Sequence, residues 1–124
     1  MQDEPTPTEL TKAVADFLRN DITPMISGHN SFKLRVAINA LELIVRQLTL
    51  EEGSDAAEAV RLVNLLGVDG SLLEQNRALA ERIAKGEVDL ATPGLSEHLW
   101  QTTMAKLAVD QPNYASYKRE QGRK

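Results

Sequence analysis

The sequence holds no cysteine. Disulfides, thiolate nucleophiles and cysteine-ligated zinc are excluded, and the fold must come from packing. Histidine is nearly as scarce: His29 sits in a glycine turn, and His98 follows Glu97 with no second histidine four residues on, so the zinc-protease helix pattern is absent. No apolar run approaches the roughly 20 residues that span a membrane. The opening Met1-Gln2-Asp3-Glu4-Pro5 is acidic and polar where a secretory signal needs a basic flank and an apolar core. The expectation is a cytoplasmic protein with no membrane partner. A basic stripe is missing too. The net charge is -4, and the last seven residues carry four positive charges and one negative, which leaves an acidic body. A nucleic-acid binder draws most of its affinity from phosphate neutralisation, so no nucleic-acid partner is expected.

Signals of catalysis are equally thin. The acidic pairs Glu51-Glu52 and Glu87/Asp89 stand at element ends, where carboxylates favour solvent or the next helix N-terminus. Gly67-Val68-Asp69-Gly70 follows no strand and precedes no suitably placed lysine, so it is a cap and a turn rather than a phosphate cradle. No catalytic residue, no metal and no cofactor is expected.

What is present is helix. With 42% hydrophobic and 26% charged residues in 124, the balance is that of one globular domain. The punctuation predicts an all-α fold, a bundle of about five helices over residues 1–117, followed by a basic tail, 118–124, without order. Thr6-Pro7-Thr8-Glu9 is a cap, a first-turn proline and a capping-box glutamate. Leu10, Val14, Phe17 and Leu18 then recur on one face until Pro24 turns Thr23 away from helical geometry. A second helix, about Ser31 to Leu50, is apolar around most of its circumference and is expected at the centre of the bundle. Glu51-Glu52-Gly53 separates it from a third, capped by Ser54, with Ala57, Val60, Val63 and Leu66 inward and Gly67 as its end. Ser71-Leu72-Leu73-Glu74 opens a fourth, with Leu72, Leu79, Ala80 and Ile83 inward and Arg82 on the solvent side. Thr92-Pro93 opens a fifth, which carries Leu95, Leu99, Trp100, Thr103, Met104 and Leu107 on its apolar side and leaves His98 exposed opposite Trp100. Gln111-Pro112-Asn113-Tyr114 ends it.

Two groups of residues stand out. Arg35, Asn39, Glu42 and Arg46 form a narrow polar stripe on the second helix. Either it is the solvated or loop-bonded side of an otherwise apolar helix, or it lines a groove that holds an anion or a partner. Lys106 lays its stem over apolar surface with Asp110 one turn on, as an ion pair or as a binding group.

The runs Met1-Gln2-Asp3, Arg35-Val36-Ala37, Asn39-Ala40-Leu41, Leu65-Leu66-Gly67, Lys106-Leu107-Ala108-Val109-Asp110 and Pro112-Asn113-Tyr114 resemble a family of short bacterial proteins of unknown function. The likeness extends from the first residues to Tyr114, with glutamine at 111 where the family pattern has asparagine. It carries over no catalytic residue. Members are encoded near aminoglycoside-phosphotransferase-like proteins and acyl-CoA dehydrogenases, which implies those two as partners and an accessory role in small-molecule metabolism. The resemblance also implies that the Pro112-Asn113-Tyr114 turn folds back to pack Tyr114 against the bundle. Two functions follow as expectations. The first is a non-catalytic accessory or interaction protein, with a homodimer among its assemblies. The alternative is a small ligand-binding protein or enzyme that holds an anion on the Arg35 stripe.

Overall fold

A computed structural model describes residues 4–122, which form helices and their connections with no strand among them. The elements are α1 (Pro7–Phe17), a π-helical turn (Leu18–Ile22), a 3-10 turn (Thr23–Met25), α2 (His29–Leu66), α3 (Leu72–Ala84), α4 (Leu95–Asp110) and α5 (Ala115–Gln121). The all-α class and the number of helices agree with the sequence, although the five helices are not the five expected. The chain divides between Leu50 and Glu51 into two compact units, and α2 crosses that division.

In the first unit Thr6 caps α1, its hydroxyl accepting from the Glu9 backbone N–H at 3.1 Å, and Pro7 stands in the first turn where no N–H is needed. A π-helical turn carries the chain from Leu18 to Ile22, but Pro24 does not turn Thr23 out of helical geometry. Thr23 stays helical (φ -51°, ψ -44°), its hydroxyl donating to the Leu18 carbonyl at 3.0 Å. Pro24 is tolerated because it falls in the first turn of a new short helix, and the chain becomes extended only at Ile26. Burial also corrects the inward face. Ala15 is 2% exposed, flanked by half-buried Thr11, Leu18 and Ile22, whereas Leu10, Val14 and Phe17 are 46%, 50% and 53% exposed. On α2 the inward set is Leu34, Ile38, Leu41 and Val45, with Ile38 fully buried. Phe32, Val36, Ile44 and Leu48 are exposed.

The expected break at Glu51-Glu52-Gly53 is absent, and the two helices read from sequence are one helix of 38 residues. A glycine inside a helix costs only about 1 kcal/mol, less than ending one helix and nucleating another among the good helix formers that flank it. Gly67 (φ +72°) ends α2 as its sequence position foretold.

The second unit is built around Leu62, Leu66, Leu79, Val88 and Leu95, all buried, with Leu65, Leu72 and Ala78 packed against them. Leu62 rather than Val60 or Val63 therefore marks the inward side of α2, since those valines are 62% and 39% exposed. In α3, Leu79 and Gln75 are buried while Ile83 is exposed. Arg82, expected in solvent, is half-buried and donates to the Leu66 carbonyl at 3.0 Å, satisfying one of the orphan acceptors at the end of α2. Ser71 caps α3 by accepting from the Glu74 N–H at 3.1 Å. Ser71→Ala should therefore lower stability by about 1 kcal/mol in urea denaturation, and an unchanged midpoint would show the cap to be idle.

Thr92-Pro93 does not begin the next helix. Thr92 closes a turn instead, its hydroxyl accepting from the Asp89 N–H at 3.0 Å, and α4 starts at Leu95 behind a left-handed Gly94 (φ +90°). Beyond the Gln111–Tyr114 turn the chain is ordered again. Helix α5 reaches Gln121, held by Tyr117, which is 6% exposed and accepts at its hydroxyl from Gln121 at 2.7 Å. The last two positions of the expected tail, Arg123 and Lys124, lie outside the described residues, as does the Met1-Gln2-Asp3 start.

Candidate functional site

The stripe on α2 falls within the first unit. Arg35 and Asn39 are exposed, and Glu42 and Arg46 are half-buried. Glu42 is engaged by Arg19 of the π-helical turn, whose Nε and Nη2 both reach Oε1, at 2.9 and 2.6 Å. Arg19 was not singled out from the sequence, because its partner lies 23 residues away and no local spacing links them. That pair fixes the polar side of the unit. At about 100° per residue, Leu10, Val14 and Phe17 lie roughly 140–180° around α1 from Arg19, and Ile44 and Leu48 lie roughly 120–160° around α2 from Glu42. The unit is thus amphipathic: ion-paired on one side, apolar and exposed on the other.

The remaining sequence candidates lie in the second unit and do not converge. Lys106, Asp110 and Asn113 are exposed, and no ion pair joins Lys106 to Asp110 among the described residues. Tyr114 is 52% exposed, and the tyrosine that packs inward is Tyr117. Tyr114 instead stands at the edge of an apolar groove shared with Trp100, Met104, Leu107 and Tyr117.

A different constellation in this unit has the geometry of a site. His98, expected in solvent, is 2% exposed. Burial is possible because Arg61, on α2, donates from Nε to His98 Nδ1 at 3.1 Å. The same guanidinium donates from Nη1 to Gln101 Oε1 at 3.2 Å and from Nη2 to Thr102 Oγ1 at 3.1 Å. Gln101 is turned to accept because its own amide donates to Glu97 Oε1 at 2.6 Å. One arginine thereby gathers three side chains from α4. Burial pushes the His98 pKa below its ordinary value of 6.5, the nearby Arg61 charge pushes it further, and Glu58 pulls it partly back. The ring is neutral at pH 7, and since Nδ1 accepts a hydrogen bond, the proton sits on Nε2.

Beside this cluster lies a cavity of about 300 Å³ lined by Arg61, His98, Asn64, Glu97, Leu65 and Pro93 among others. Gly94 also borders it, and a Cβ there would stand 3.4 Å from Leu65 Cδ2. Among the described residues no group of three or more histidines and carboxylates is placed to hold a metal ion, and no helix is long and apolar enough to cross a membrane. Comparison with curated proteins and with solved structures finds no match. A family model does match, over residues 24–114, a span that contains α2, α3, α4 and every residue of the Arg61 cluster but leaves α1 and α5 outside. The chain belongs to the family described as domain of unknown function DUF6285.

Proposed function

We propose that the protein is a non-catalytic, cytoplasmic accessory protein that works by docking, with the apolar side of the first unit as its docking face. The observation that carries this reading is the exposure of Leu10, Val14, Phe17, Ile44 and Leu48, each 44–53% exposed, opposite the Arg19–Glu42 pair. Leaving such side chains in water forfeits roughly 25 cal/mol for each Å² of apolar surface, so a face of this kind favours a partner. A two-helix unit with one apolar side is half of a four-helix bundle, and a second copy supplies an identical, self-complementary face. Self-association is therefore the first expected assembly. The phosphotransferase-like proteins and acyl-CoA dehydrogenases that the resemblance implies are the further partners. In this reading the Arg35, Asn39, Glu42 and Arg46 stripe is the solvated side of the unit, not an anion groove.

Light scattering on the full chain, followed by co-purification with each of those two partners, tests the proposal. The wild type should form a dimer or retain a partner, and the Val14→Lys/Ile44→Lys double variant should lose that assembly while keeping its helicity. Arg35→Ala should leave the assembly unchanged. A wild type that is monomeric and retains neither partner, or an assembly indifferent to the two lysines, would sink it.

A further inference from the structure

The Arg61 cluster carries an inference independent of docking: we propose that the cavity beside it binds a small monocarboxylate with a short apolar stem. The cluster has hydrogen-bond donors left over. A guanidinium has five N–H groups, and Arg61 uses three of them, on His98, Gln101 and Thr102, which leaves two. His98 accepts at Nδ1, and its Nε2–H has no partner among the described residues; that atom is not sealed off, so the small part of this 2% exposed residue that reaches open space includes it. An unpaired donor that reaches open space, on a ring that lines a cavity, is placed to meet something that enters and accepts. The Asn64 amide adds another donor from the rim of the same cavity.

Charge selects the class of acceptor. Arg61 contributes one positive charge, neutral His98 none, and Glu97 one negative charge at the lining, with Glu58 close enough to act on His98. A doubly charged phosphate would exceed the single guanidinium charge and would do so beside the Glu97 carboxylate. A carboxylate carries one charge, spread over two oxygens that match a guanidinium edge and a second donor. Apart from Gln101, the rest of the lining is apolar. Leu65 and Pro93 face the same space, and about 300 Å³ is at the small end of ligand cavities. These suit a few methylene groups and exclude a nucleotide-sized molecule. Gln101 contributes orientation rather than contact: by accepting from Arg61 and donating to Glu97 it holds the guanidinium in place and occupies one of the carboxylate oxygens that would otherwise compete for the same donors.

The test follows the His98 ring by NMR while butyrate is titrated into the full chain, with butyramide and inorganic phosphate in parallel. Butyrate should shift the His98 ring resonances saturably, and butyramide and phosphate should bind at least roughly ten-fold more weakly, the loss expected when a charge-assisted pair is removed or mismatched. Arg61→Met should abolish the shift. Because that variant also removes contacts that hold α4, Asn64→Phe serves as the second: it narrows the cavity from an exposed position, should keep the native helicity, and should weaken butyrate roughly ten-fold or more. No saturable shift with butyrate, an equal response to butyramide, tighter binding of phosphate, or full butyrate binding in Asn64→Phe would each overturn the proposal.

Discussion

Replacing Leu62 by alanine is expected to remove about 3 kcal/mol of stability from the second unit. Leu62 is 0% exposed and stands among Leu66, Leu79, Val88 and Leu95, contributed by α2, α3, α4 and the loop between the last two. Its side chain is thus surrounded by three helices and a connecting segment, and truncation opens a cavity that none of them can close alone. In a unit of this size the same loss lowers the melting temperature by on the order of 15 °C. Val60→Ala is the matched control. Val60 lies half a turn away, is 62% exposed, and should change stability by no more than about 0.5 kcal/mol. Urea denaturation of the two variants therefore discriminates between the inward face the sequence suggests and the one the fold adopts. Comparable losses in both, or a loss below about 1 kcal/mol for Leu62→Ala, would remove Leu62 from the centre of the core.

The contrast between Leu62 and Val60 shows where the sequence was readable. Local chemistry was: Thr6 and Ser71 cap the helices they were expected to cap, and Gly67 takes the left-handed conformation at the helix end it was expected to close. Each of those signals depends on residues within four positions of one another. The choice of inward face does not. On α1 the large residues Leu10, Val14 and Phe17 form the most apolar stripe, yet small Ala15 is the residue that is buried, and the Arg19–Glu42 pair, 23 residues apart, lies away from that stripe. On α4 Trp100 looks like core and His98 like surface, and the structure reverses them. A histidine is costly to bury unless its nitrogens are matched, and the match comes from Arg61, 37 residues earlier. The one local hint was an arginine, Arg61, directly beside the most buried residue of α2 with Glu58 a turn before it. The stripe of Arg35, Asn39, Glu42 and Arg46 was legible as a stripe, but half of what Glu42 does depends on an arginine the helix itself does not contain.

Because Arg61 is what makes a buried His98 tolerable, Arg61→Met should both weaken the fold and change its response to pH. Methionine keeps much of the stem's packing but removes three hydrogen bonds from a charged donor and leaves His98 Nδ1 buried without a partner. A loss of about 2 kcal/mol at neutral pH is expected. The pH dependence follows from the direction of the His98 shift. Its folded-state pKa lies below the ordinary 6.5, through burial first and the Arg61 charge second. In the unfolded chain the ring titrates near about 6.5, so between that value and the folded one the unfolded state binds more protons. The stability that His98 contributes is fully present above pH 6.5 and is lost as the pH falls through this window. Removing Arg61 removes the second cause, so the His98 pKa should rise towards its ordinary value and the acid-side loss should become shallower, even though the variant is less stable throughout. Urea denaturation of both proteins between about pH 5 and 8, with His98 followed by NMR, measures both effects. A variant as stable as the wild type at pH 7, or one whose His98 titrates lower than in the wild type, would show that Arg61 does not hold the buried ring.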